Sequence, residues 1–295
     1  MRSYQGVRFF WLNFHVHYAC RHSGACCSAG WPIPVKNPRV TPIQQVSRTA
    51  DWLVPTTSAP RESAGTLALR ADGRCVFHGA DGCGVYAARP SSCSHFPYVC
   101  LIDQRGVRVT LSHYCPTAAA LLFEPDRTIA IFEGSAPPTG LDIPEGLDAR
   151  DALPPLASPH RLMSFDEFAA WEEDAIASLS AHLTPHVAWP ATPQRLEEIC
   201  ATLVAPAWPA FEPVITRYLA AKAFGSWEAY LDEDGTAAVL RGVETARAVL
   251  QVEAARQCAR ADRVLDAPLL TAAIRQSDLR LVHHADTRVL SSEHP

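Results

Sequence analysis

Residues 83–97 read Cys83-Gly84-Val85-Tyr86-Ala87-Ala88-Arg89-Pro90-Ser91-Ser92-Cys93-Ser94-His95-Phe96-Pro97, and residues 20–27 read Cys20-Arg21-His22-Ser23-Gly24-Ala25-Cys26-Cys27. Cys75 lies between the two stretches, Cys100 follows them, and Cys115 with Pro116 closes the series. A metal site needs deprotonated sulfur from chain segments that turn sharply enough to aim several side chains at one point. Gly24, Gly79, Gly82 and Gly84 supply such turns. The candidate metal ligands are therefore Cys20, Cys26, Cys27, Cys75, Cys83, Cys93, Cys100 and Cys115. Side chains of adjacent residues diverge in extended backbone, so Cys26 and Cys27 are not expected to share one ion; one of them is expected to be buried or to serve a second centre.

These eight account for all but Cys200 and Cys258 of the ten cysteines in a chain of 295 residues. That density is below a disulfide scaffold. The apolar segment from Phe9 to Tyr18 carries Asn13, His15 and His17 and has no small-residue cleavage site, so it is not read as an export signal. The expectation is a cytoplasmic chain whose thiols stay reduced and bind metal rather than pair. No apolar run approaches the roughly 18 residues of a membrane helix. Residues 1–115 carry 12 Arg and Lys against 5 Asp and Glu, a net +7, while the remainder is net −12. An arginine excess around thiolates helps neutralise a metal centre that is itself negative; the plainer reading is a basic surface facing an acidic partner region. No dense Lys/Arg run with interleaved aromatics occurs, so nucleic acid is not an expected partner.

The pattern predicts an α+β chain: a small loop-rich cysteine-cluster module over 1–123, a proline-rich stretch over 124–160 that wraps one module or links two, a mainly α-helical region over 161–286, and a tail over 287–295. Residues 107–113 alternate apolar and polar side chains, the mark of a half-buried strand that delivers Cys115 at its end. Helix is expected from Ala118. Pro125, Pro137, Pro138, Pro144, Pro154, Pro155 and Pro159 exclude a long helix from the middle stretch. Ser164 with Glu167 forms a capping-box pattern, and Phe165, Phe168, Trp171, Ala175, Ile176 and Leu179 recur at helical spacing behind it. Thr192 before Pro193 marks another start, and further amphipathic stretches cover Pro213 to Phe224, Thr236 to Arg260 and Pro268 to Leu281. Glu172, Glu173 and Asp174 read as a solvated face, and Cys200 and Cys258 as small buried apolar residues.

The spacing from Cys83 through Tyr86, Arg89-Pro90 and Cys93 to Phe96-Pro97 resembles the bacterial YkgJ-type cysteine-cluster family with a CxxCxxCC motif, described as a zinc- or iron-chelating domain. The first half departs from that pattern, because Ser23 stands where the family has its second cysteine. The resemblance spans about residues 8–118 and implies metal binding, with Arg89, Tyr86 and Phe96 around the ligands. More diffusely, the Arg217 to Phe224 stretch and the Ala273 to Asp286 segment with His283 and His284 resemble flagellin lysine N-methylases. That resemblance implies an alternative function, a lysine N-methylase-like enzyme acting on a protein substrate.

The residues leave the metal open between zinc and an iron–sulfur cluster of the 4Fe-4S type. Four thiols suffice for either, and eight allow two centres. The Cys115-Pro116 ending, which also closes bacterial ferredoxin runs, and the absence of a CxxC knuckle lean toward iron and sulfur. Six histidines, His15, His17, His22, His78, His95 and His113, lie near the cysteines and are read first as structural. The glycines from Gly79 to Gly84 lack the strand before and the helix after that a phosphate-binding loop needs. No Glu-x-x-His pair marks a di-metal carboxylate site.

Overall fold

The computed structural model describes residues 7–56, 62–124, 128–135, 146–184 and 193–284. Thr192, Asp286, the 287–295 tail and Pro125, Pro137, Pro138 and Pro144 fall outside them.

Strong β-formers in the hairpin Tyr98–Asp103 and Gly106–Leu111 nucleate a five-stranded sheet. Gly106, at a φ of +127°, closes the turn; a Cβ there would lie 2.6 Å from the Arg8 carbonyl oxygen. Phe9–Leu12 joins the hairpin in parallel beside Gly106–Leu111, and two strands from the proline-rich stretch complete the edges. Ile131–Gly134 pairs antiparallel with Phe9–Leu12, and Gly146–Asp148 pairs parallel with Tyr98–Asp103. The middle stretch thus wraps the sheet on both sides. The cysteine-bearing segments add a small antiparallel sheet, in the order Pro34–Lys36, Ser63–Leu67, Leu53–Val54, and a two-stranded ribbon of His78–Gly79 with Gly82–Cys83.

The 107–113 strand departs from the half-buried expectation, because Arg108 and Thr110 are as buried as Val107 and Val109. Its polar face is covered by helices. Phe165–Ala177, opened by the Ser164–Glu167 capping box, brings Glu172 to 2% exposure beneath the strand. Glu172 is therefore not part of the solvated face on which its neighbours Glu173 and Asp174 remain. Its Oε2 accepts from Arg108 Nε at 2.7 Å and Arg105 Nη1 at 3.4 Å, and its Oε1 accepts from the Gly225 amide at 3.0 Å. Asp103 takes Arg105 Nε at 2.9 Å and the Tyr230 hydroxyl at 2.8 Å, while the Arg105 guanidinium lies 3.6 Å over the Phe168 ring. Buried charges persist only when paired in this way.

The remaining helices, Glu212–Ala223, Thr236–Ala261 and Ala267–Asp278, form one apolar core that takes in Leu12, Phe14, Ala119 and Leu122 from the first module. Cys258 is fully buried in it and Cys200 packs against it. A second buried polar group joins the same two regions. Asp278 accepts from the His113 amide and pairs with Lys222 Nζ at 2.5 Å, and His113 Nε2 lies 3.2 Å from His15 Nε2. The helix after Cys115 begins at Pro116, two residues ahead of the expected Ala118, with proline at its first position.

Two outcomes follow. Glu172→Ala leaves the buried Arg108 guanidinium without its 2.7 Å carboxylate partner, while Arg105 keeps Asp103, and should lower the unfolding free energy by about 3–5 kcal/mol. Urea denaturation reads this, and a loss under about 1 kcal/mol would mean that the clamp is not structural. Burial, with His113 and Lys222 nearby, holds His15 well below its usual value. The unfolded chain therefore binds a proton near pH 6.5 that the folded chain refuses, and stability falls as pH drops below that point. His15→Gln should flatten this fall in the window that opens below about pH 6.5. Asp278, whose carboxyl lies below its ordinary range because of Lys222 and His113, acts only under that window.

Candidate metal centre

Gly24, in the left-handed region at a φ of +70°, opens the single 3-10 turn Ala25–Ser28 that carries Cys26 and Cys27. A Cβ at Gly24 would sit 2.5 Å from His78 Nε2 and displace that ring, and the positive φ itself favours glycine. The tight turn draws the adjacent thiols to 3.9 Å instead of splaying them as extended backbone would. The Cys75 amide donates to the Cys27 carbonyl at 2.8 Å and stitches the first cysteine segment to the second. From Cys75 the chain enters the His78–Gly79/Gly82–Cys83 ribbon, which returns Cys83 to the same side. Arg89 then packs 3.9 Å over Tyr86 and donates Nε to Ser94 Oγ at 3.1 Å, anchoring the short helix Ser91–His95 that presents Cys93.

Seven of the eight predicted cysteines, Cys20, Cys26, Cys27, Cys75, Cys83, Cys93 and Cys115, line one cavity of about 860 Å³. Ser23, in place of the expected cysteine, lines it too, and its hydroxyl accepts the Ala25 amide at 3.5 Å. Cys100 does not reach the cavity. It lies on the face of its strand that Tyr98 shares, but two residues, about 7 Å, further along, sealed at 0% exposure among Phe9, Ile102, Val107 and Val109. Of the six histidines, His22 lines the cavity and meets the Tyr86 ring edge to face, His78 backs Gly24, and His95 lies behind Cys93. His15 and His113 belong to the buried pair described above.

The thiols fall into two sets. Cys26, Cys27 and Cys83 share hydrogen bonds, with Cys27 keeping its proton and its pKa raised by both partners. The bond from Cys27 lowers Cys26 to about 7, and a separate bond between Cys27 and Cys83, with the Val85 amide and Arg89, lowers Cys83 to about 6. Burial raises Cys75 and Cys93 beside them. In the second set Cys115 Sγ lies 3.5 Å from the Tyr18 hydroxyl, and Cys20 and Cys115 both act on Tyr18 and Tyr98. Among the described residues no three His, Cys, Asp or Glu side chains converge closely enough to hold one ion.

Residues 19–116 match the family model described as "CxxCxxCC: Putative zinc- or iron-chelating domain". Over these residues the cysteine module is similar to this family. The match covers about a third of the chain and stops at Pro116, so the helical region lies outside it. No curated protein and no solved structure matches the chain, and the resemblance of the helical half to flagellin lysine N-methylases finds no counterpart in these comparisons. No single helix among the described residues is long and apolar enough to cross a membrane.

In metal-free, reduced protein, iodoacetamide should modify Cys83 and Cys26 with pH midpoints near 6 and 7, because only the thiolate reacts. Burial pushes Cys100 up to about 12, so it should stay unmodified at neutral pH until the chain unfolds. Peptide mapping across a pH series checks both.

Proposed function

We propose that the cysteine module binds an iron–sulfur cluster of the 4Fe-4S type, with Cys26, Cys27, Cys83 and Cys93 as its principal ligands and Cys20, Cys75 and Cys115 within the same cavity. The observation that carries this reading is the mismatch between the cavity and a single ion. Metal–sulfur bonds of about 2.3 Å in a tetrahedral zinc site bring four sulfurs to about 3.8 Å from one another. Cys26 and Cys27 meet that spacing as a pair, yet no group of three does. Seven thiols around some 860 Å³ suit a larger centre, in which inorganic sulfide fills the space between widely set ligands.

The donor set fits the centre chemically. Thiolates are the ligands such clusters need, and two of the inner thiols ionise at or near neutral pH. Arg89 stands beside them as a cation against the negative charge that a four-thiolate cluster brings. Tyr18, Tyr98 and Phe77 wall off water, an influence on potential as well as on retention. A cluster of this kind supplies one-electron chemistry; the chain's own residues supply its ligands, its insulation and, through the helical region, a rigid mount.

Purification without oxygen, followed by analysis for iron, zinc and acid-labile sulfide with a visible spectrum, tests the reading. The expected result is about four iron and four sulfide per chain with a broad visible charge-transfer band. Colourless protein with stoichiometric zinc would replace the cluster by a zinc site. Single Ser substitutions at Cys27, Cys83 and Cys93 should each release metal, whereas Cys100→Ser should retain it; retention after all three would sink the ligand assignment.

A further inference from the structure

Beside the thiol cavity, in a smaller one that shares Cys26, Cys93 and Phe96 with it, the helical region places one ring. His283 stacks on Trp31 with centroids 4.1 Å apart and planes 19° from parallel. Phe96 and Tyr114 stand around the same imidazole at 6.0 and 6.2 Å. Each of these aromatics belongs to a different cysteine-bearing segment. Trp31 follows Cys27 by four residues, Phe96 follows Cys93 by three, and Tyr114 precedes Cys115 by one. The Ser112 hydroxyl and His283 Nε2 share a hydrogen bond of 2.8 Å, and Arg275 Nε donates to the Tyr114 carbonyl at 2.9 Å. A smaller cavity of about 200 Å³, lined by Cys26, Cys93, Trp31, Phe96, Ser112 and His283, separates this ring cluster from the thiols.

The helix geometry is built for this reach. Asp278 ends the helix Ala267–Asp278 and bonds to the His113 amide, while His283, five residues on, bonds to the adjacent Ser112. Residues five apart in an α-helix point about 140° away from each other. The final turn, Leu279–His284, is a π-helix, whose i→i+5 bonding widens the turn and brings residues five apart closer to one face. That wider turn lets Asp278 and His283 engage neighbouring residues of one loop.

We infer that His283 is a positioning residue for the metal centre: its imidazole pins the three cysteine-bearing segments against one another and so holds Cys26, Cys93 and Cys115 in the spacing that retains metal. This inference rests on the metal-binding reading above. It makes metal retention depend on a residue about 170 positions from the last ligand segment and outside the family match. It also links the two ends of the fold thermodynamically, since a metal bound more tightly when His283 is docked must strengthen that docking in return.

The test compares wild type with His283→Ala and His283→Phe, all purified without oxygen. One arm measures the rate at which a chelator removes iron or zinc. A second arm, on protein already stripped of metal, measures alkylation of Cys26 and Cys93 by iodoacetamide, with Cys200 as the internal control. His283→Ala should release metal faster by on the order of 10- to 100-fold, and should expose Cys26 and Cys93 to faster alkylation at unchanged helical circular dichroism. His283→Phe, which keeps a ring against Trp31, should restore most of the retention. Release and alkylation rates in His283→Ala equal to wild type overturn the inference. Should that variant fail to fold, His283→Leu, which keeps apolar bulk without an aromatic face, decides by the same criterion. A wild-type chain that holds no metal overturns the metal reading alone, because the alkylation arm still decides the role of His283.

Discussion

The carboxylate of Glu172, buried under the sheet between Arg105 and Arg108, is the constraint to which the rest of the molecule conforms. A charged strand face cannot be left dry and unpaired, so the hairpin that carries these arginines is tied to the helix that carries Glu172 and, through the Gly225 amide, to the turn that follows a second helix. The sheet and the helical region therefore share one orientation. The same hairpin begins at Tyr98, on the cavity wall, and runs from Leu111 into the turn that ends at Cys115. What fixes the hairpin also fixes one side of the thiol cavity.

The other side is built differently. Its segments are short and loop-rich, with a small core of their own around Trp52, Ile43, Val35 and Phe77. Order there comes from backbone bonds, such as that between Cys27 and Cys75, and from turns that favour glycine, as at Gly24 against His78. Such a site holds its thiols near one another without converging them on a point. A metal bound there would add its binding free energy to that of folding. The unequal acidities of Cys26, Cys27 and Cys83 have the same origin, three thiols too close to ionise independently.

The polar contacts between the first module and the helical region lie at two depths. The Glu172 clamp and the Asp278, Lys222 and His113 group are dry, and their role is to hold. The His283 ring cluster is only partly buried and lies beside a cavity, in contact with three cysteine-bearing segments. The basic excess of the first module and the acidic excess of the remainder are thus used where Arg105 and Arg108 meet Glu172. Arg89 stands beside Cys83 and Cys93, and Arg70 acts on Cys75.

Local features of this protein were readable in its residues because their causes are local. Turn glycines, the Ser164–Glu167 cap, the strand leading to Cys115 and the helical spacing of the second half all depend on neighbours within a few positions. The cysteine spacing carries the similarity to the zinc- or iron-chelating family model in the same way. Three decisions were made only in the folded chain. Cys100 differs from Cys93 and Cys115 by its depth along a strand, which no spacing records. Glu172 looks like Glu173 and Asp174 until the sheet is laid over it. His283 reaches the ligand segments through a π-turn and a stack on Trp31, some 250 residues away in sequence. Each of these rests on contacts between distant segments, and such contacts exist only after the apolar core shared by both regions has brought them together.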